Sequence, residues 1–319
     1  MGTTTTSIIL IRQRPAFGDA LLIGPLIRAL KNHYPDSRLT VLTDSTYMAG
    51  ALPLIFKGIP HVDRVECVSS MEWTTDSNKQ VDPILNAAGP DVPFSVIHSD
   101  VVLDCNGGYM AFEREHNGDI PYGIQEFWLR HYGYFHKGLD LRPHWNIPDK
   151  AKQAVDQWLQ EINPQHKPIV SIVLRAGDRI RDWNFSKHST DIADWLHTKG
   201  FFPIGIDPHI PLKSMYGGSC IGRQLDFVAA LLERCKATLT PDTGLLHLAE
   251  AVGTPTVALW GIMRPELRVA GYNCHIVPSK SLGQCDDPNC ACCRWKFQQW
   301  SCVHKITLPM ILAGLRERL

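Results

Sequence analysis

The run Thr240-Pro241-Asp242-Thr243-Gly244-Leu245-Leu246-His247 has the composition of an anion-binding turn. It follows the strand-like stretch 236–239 and opens an amphipathic helix that ends near Gly253. The first turn of a helix leaves backbone N–H groups without intrahelical partners. Those donors, with the positive end of the helix dipole, suit a phosphate or diphosphate. The Thr243 hydroxyl adds a donor, and Gly244 lets a ligand come close to the backbone. Asp242 repels phosphate, so it either caps the helix or holds a sugar hydroxyl. His247 lies four residues after Thr243, on the same helical face. The bland alternative is an ordinary N-cap, Asp242 or Thr243, followed by core leucines, with His247 a core histidine.

Two further segments carry charge at comparable positions. Near the N-terminus, the apolar run 7–11 leads into Arg12-Gln13-Arg14-Pro15-Ala16-Phe17-Gly18-Asp19 and then into a helical pattern. Asp19 therefore sits on a strand-to-helix turn, where a carboxylate can take a proton from an attacking hydroxyl. Arg14 and Gly18 precede Asp19 on that turn. In the second half, Arg175, Arg179 and Arg181 fall within seven residues after the strand-like run 169–174, with Lys187 a little further on. Guanidinium groups bind phosphate bidentately, whereas lysine acts as a point charge. Asp207, after the strand 202–206, either meets a sugar hydroxyl or caps a turn at Pro208.

The elements that position these residues alternate strand and helix in both halves, which implies parallel sheets covered by helices. Strands are expected near 7–11, 38–43, 62–68 and 94–104, with an irregular insertion over 72–93. A helix over 148–162 precedes the breaker Asn163-Pro164-Gln165-His166-Lys167-Pro168. The division expected is residues 1–162 as an N-terminal Rossmann-like domain and 163–319 as a C-terminal Rossmann-like domain. The 319 residues suffice for two cores. Lys plus Arg and Asp plus Glu both number 32, so no basic surplus points to bulk nucleic-acid binding. No Gly-x-Gly-x-x-Gly follows the first strand and no Walker motif is present, which argues against a dehydrogenase and a P-loop NTPase. No apolar run reaches the length of a membrane span, and the N-terminus lacks a signal-peptide pattern, so a cytoplasmic protein is expected. A peripheral membrane contact stays open.

Gly18-Asp19-Ala20-Leu21-Leu22, Tyr34-Pro35-Asp36 and the block Asp242 to Ala249 with Gly253-Thr254-Pro255-Thr256-Val257-Ala258-Leu259-Trp260-Gly261 resemble glycosyltransferase family 9, the heptosyltransferase-like enzymes. The resemblance implies an α/β GT-B fold, two Rossmann-like domains with parallel sheets facing a central cleft, the last helix packing back on the first domain. It implies an inverting transfer of a sugar, a heptose by family habit, from an ADP-linked donor to a glycan hydroxyl such as one on lipopolysaccharide core. Asp19 matches the family's candidate base, and the resemblance implies an acceptor-binding domain over 1–162, with Arg14 and Gly18 on the acceptor side, and a nucleotide-sugar donor domain over 163–319. Arg175, Arg179, Arg181, Lys187, Asp242, Thr243, Gly244 and His247 match its donor side. Where relatives carry His-Pro-Gly and Lys-x-Trp, this chain has Arg175-Ala176-Gly177 and Arg181-Asp182-Trp183. Transfer to a protein or a modified DNA base from a UDP-sugar, nucleotide-sugar epimerisation, and donor binding without turnover are the alternatives.

Five of the ten cysteines crowd into residues 285–302. Cys285, Cys290, Cys293 and Cys302 make a candidate structural zinc or iron site. Reduced cysteines without a metal are the competing reading. GT-B sugar transfer needs no metal for the chemistry, so no catalytic cofactor is expected.

Overall fold

A computed structural model describes residues 5–12, 15–45, 47–68, 99–106, 108–116, 120–177, 181, 183, 185–261, 265–278 and 303–319. The chain divides into two compact units, with the boundary between Pro143 and His144.

In the first unit, β1 (Ser7–Ile11), β2 (Arg38–Asp44), β3 (Arg64–Val68) and β4 (Val101–Asp104) form a parallel sheet in the order β3-β2-β1-β4. β1 and β2 are nearly continuous runs of buried residues, as a sheet covered on both faces requires. The expected single helix after β1 is broken in two, Phe17–Leu21 and Gly24–His33. Pro25 explains the break, because a ring without an N–H is tolerated only in the first turn of a new helix. The expected insertion over 72–93 lies outside the described residues.

In the second unit, β5 (Ile169–Val173), β6 (Phe202–Asp207), β7 (Gly218–Ile221), β8 (Cys235–Pro241), β9 (Thr256–Trp260) and β10 (Cys274–Pro278) form a parallel sheet in the order β10-β9-β8-β5-β6-β7. Counted within the unit, this is the 3-2-1-4-5-6 winding of a dinucleotide-type fold. Its core gathers Val170, Ile172, Leu239, Val257, Leu259 and Ile192.

The helix Asp149–Ile162, expected with the first domain, belongs to the second unit. Side chains far away in sequence decide this. Asp156 pairs with Arg234 (Oδ2 to Nη2, 2.9 Å), Lys152 with Glu233 at 3.3 Å, and Trp158 meets Phe227 edge to face at 5.5 Å. The breaker Asn163–Lys167 is a turn inside that unit: Asn163 Nδ2 donates to the Lys167 carbonyl at 2.9 Å and its Oδ1 accepts from the Lys167 N–H at 3.2 Å.

The last helix, Leu308–Arg318, was expected to return to the first domain, and it packs on β9 and β10 of its own unit. Ile311 and Leu315 are wholly buried there, worth about 2 kcal/mol each. Gly314 lets the helix come close, since a Cβ would stand 2.8 Å from Val277 Cγ2 and 3.1 Å from Val257 Cγ1. No helix among the described residues is long and apolar enough to cross a membrane.

Candidate functional site

An open parallel sheet binds ligands beyond the carboxyl ends of its strands, where the winding reverses. In the second unit that point lies between β5 and β8. β8 runs out at Thr240-Pro241 and hands over to the helix Gly244–Ala251. Thr243 is the N-cap of this helix, with extended backbone (φ −143°, ψ 171°), and its Oγ1 accepts from the Leu245 N–H at 3.2 Å. Asp242, one of the two capping candidates, does not cap. Its Oδ2 faces Arg181 Nη1 at 3.4 Å.

His247 sits one turn into the helix and is 4% exposed. Its Nδ1 lies 2.8 Å from the Tyr272 hydroxyl, with the rings edge to face. Burial, and after it the positive charges of Arg268 and Arg181, push the imidazole down to about 3. The ring is therefore neutral at any physiological pH. An unfolded histidine takes a proton as the pH falls through about 6.5, while native His247 refuses it until about 3. The stability this linkage contributes is complete above pH 6.5 and is lost as the pH falls towards 3. The expected loss is about 1.4 kcal/mol per pH unit inside that window. Urea unfolding at pH 6.5, 6.0, 5.5 and 5.0 checks this: His247→Asn should flatten the slope by about that amount. Equal slopes would show that His247 is not held neutral.

Arg175, at the end of β5, is committed to a brace. Its Nε and Nη2 bond the Asp207 carboxylate at 2.7 and 2.8 Å. Asp207 Oδ1 also accepts from the His209 and Ile210 N–H groups at 2.8 Å each. Burial pushes this carboxyl up, but the Arg175 bonds and the two amides outweigh it and hold it below its ordinary value. Asp207 thus does what its turn-capping alternative required. Trp260 is buried against Leu246 and Ala258, so it packs.

In the first unit, the winding reverses between β1 and β4. Asp19 sits half-buried on the short helix that leaves β1, in the same turn as Gly18. Among the described residues none hydrogen-bonds its carboxylate. Beside that edge is Arg12, a buried cation that donates through Nη1 to the Cys105 carbonyl and stands 5.8 Å from the centre of the Trp128 ring.

Arg14, Arg179, Cys285, Cys290, Cys293 and Cys302 lie outside the described residues. Lys187 lies on the backbone of the helix Phe185–Thr198, and its side chain is likewise outside them. Among the described residues no group of three or more His, Cys, Asp or Glu is placed to hold a metal ion. The structure brings together Arg181, Asp242, Thr243, Gly244 and His247. Arg268 and Tyr272 lie at the second-unit edge and Arg12 at the first-unit edge, none of them singled out from sequence. One signal pointed to the first two: they follow the carboxyl end of β9, an edge at which such folds bind ligands.

Paired parallel α/β units, the second in the 3-2-1-4-5-6 winding, put the chain in the GT-B fold class. Residues 221–285, which span the Thr243 cap, His247, Arg268 and Tyr272, match the family model of glycosyltransferase family 9 (heptosyltransferase). Over 43 residues the chain is 46% identical to lipopolysaccharide heptosyltransferase 2 of Escherichia coli (strain K12). That stretch is 14% of this chain and 12% of the relative, so the chain matches about an eighth of that relative's length. Over 99% of this chain and 98% of the other, the fold is similar to a glycosyl transferase family 9 structure from Veillonella parvula DSM 2008, with TM-score 0.70 and 13% identity. It is also similar to the E. coli ADP-heptose lps heptosyltransferase II, with TM-score 0.64, 16% identity and 98% of each chain covered. The chain is heptosyltransferase-like: the fold is shared along its length, and the family's sequence pattern lies across the second-unit site.

Proposed function

We propose that this protein is a metal-independent, inverting glycosyltransferase of the cytoplasm. It takes a sugar from a nucleotide-diphosphate donor and passes it to an acceptor hydroxyl. The observation that carries this is the switch-point site of the second unit. There a Thr243-capped helix, a neutral buried histidine and two arginines share one strand edge. Helix N-terminal dipole and guanidinium charge are what a departing diphosphate needs.

The donor is ADP-linked heptose in this reading, supported by the names of the relatives that match. The acceptor is a glycan hydroxyl, such as one on lipopolysaccharide core. Asp19 accepts the proton of that hydroxyl as its oxygen attacks the anomeric carbon. The bond from that carbon to the diphosphate breaks on the opposite face, which inverts the configuration. Arg181 and the helix end stabilise the charge that builds on the leaving diphosphate. The expected residues Arg179, Lys187 and Arg14 keep supporting roles on the donor and acceptor sides. A structural zinc or iron at Cys285, Cys290, Cys293 and Cys302 belongs to the same proposal and takes no part in the transfer.

Calorimetry with ADP, UDP, GDP and CDP tests the reading. ADP is expected to bind selectively. Selective UDP or GDP binding would discard the ADP-linked donor, and no binding of any of them would discard the site.

A further inference from the structure

The helix that carries His247 is tied twice to the segment Gly271–Asn273. The first tie is the His247–Tyr272 contact at 2.8 Å. The second comes from Glu250, one turn further along the helix, whose Oε2 accepts from the Asn273 N–H at 3.0 Å. Glu250 is buried, so losing that bond would deprive the Asn273 N–H of its carboxylate partner. Asn273 is held from two more directions. Its carbonyl accepts from the Thr256 N–H at 3.2 Å, and its side-chain oxygen accepts from Arg318. Tyr272 itself donates its N–H to the Val269 carbonyl at 3.1 Å. The phenol is therefore delivered to Nδ1 from a backbone pinned on both sides.

A neutral imidazole has one N–H and one lone pair, and the bond made at one nitrogen decides which nitrogen carries the proton. A phenol O–H is a stronger acid than the N–H of a neutral imidazole. The favoured arrangement is the phenol donating to a bare Nδ1, with the ring proton on Nε2. We infer that Tyr272 is a positioning residue that holds His247 in its Nε2–H tautomer, so that the ring offers a hydrogen-bond donor to the diphosphate of the sugar donor. This rests on the function proposed above. The opposite tautomer would present a lone pair to an anion and repel it. Burial, and after it the charges of Arg268 and Arg181, keeps the ring from protonating on both nitrogens, so the choice of tautomer decides whether His247 attracts or repels phosphate.

The test uses the full chain labelled with 15N, its histidine tautomers read from two-bond 1H–15N spectra and the His247 signal assigned by its loss in His247→Asn. Wild type is expected to show the Nε2–H pattern without ligand. Tyr272→Phe keeps the ring and removes the donor; the pattern should move to a mixture, and affinity for ADP should fall about tenfold. Para-aminophenylalanine at position 272 restores a donor at the same place and should recover both. An Nδ1–H pattern in wild type overturns the inference, as does a Tyr272→Phe protein with unchanged tautomer. A shifted tautomer with unchanged ADP affinity overturns the diphosphate contact. Failure of wild type to bind any nucleoside diphosphate would sink the proposed function instead, and the spectra of the ligand-free protein would still decide the role of Tyr272.

Discussion

Asp19→Asn should lower the turnover of sugar transfer by about 10²–10⁴-fold, the range a positioned general base contributes, while ADP affinity changes by less than about twofold. The substitution preserves the shape of the side chain and removes its ability to hold a proton. The two effects separate because the groups proposed to bind the diphosphate, Arg181, Thr243 and His247, all belong to the other unit. Asp19 lies half-buried beyond β1, with no described residue hydrogen-bonding its carboxylate, so its oxygens are not spent on capping or on an ion pair. Its contrast with Asp207 is instructive. Asp207 ends β6, where it accepts four hydrogen bonds and cannot take a proton without breaking a brace. Single-turnover kinetics with ADP-heptose and a lipopolysaccharide-core acceptor, beside ADP calorimetry, would read both quantities. A variant that transfers at the native rate would place the base elsewhere. A variant that loses ADP binding would mean Asp19 supports the fold and not the chemistry.

Much of this was legible in the residues. The alternation of apolar runs with helical spacing revealed parallel sheets, and the Thr240–Ala249 run marked the strand-to-helix turn that the structure shows. What failed depends on partners distant in sequence. Asp242 and Thr243 are both capping residues, and choosing between them required the backbone angles of Thr243 and an arginine some sixty residues earlier. The Asn163–Pro168 breaker is conspicuous locally, but the domain boundary follows from Asp156, Lys152 and Trp158 finding Arg234, Glu233 and Phe227. β7 and β10 have only four and five residues, and Gly218, His275 and Pro278 blur their alternation, so neither stood out. Arg268 and Tyr272 carry no motif. Their place becomes meaningful only once β9 is known to end at the edge where they gather.

Arg181→Ala should weaken ADP binding by about 10–100-fold, the worth of a hydrogen bond to a charged group, and should also slow transfer at saturating donor. Arg175 and Arg181 lie near that edge and differ in what their guanidinium groups already hold. Arg175 spends two guanidinium nitrogens on the buried Asp207, and withdrawing it would strand a carboxylate that is 3% exposed. Among the described residues Arg181 has a loose ion pair, 3.4 Å to Asp242, with its own side chain 39% exposed. An incoming diphosphate can share that guanidinium, because the contact to Asp242 is long and the arginine itself is open to solvent. The slower transfer follows because charge on the diphosphate grows as the glycosidic bond breaks, so the lost cation is missed more in the transition state than in the complex. Arg181→Lys should recover part of the affinity and less of the rate, since an ammonium cannot span two phosphate oxygens as a planar fork does. Raising the salt concentration should narrow the gap between wild type and Arg181→Ala by screening the charge they differ in. Unchanged ADP affinity in Arg181→Ala would move the phosphate role to Arg268, whose alanine variant would then have to show the larger loss.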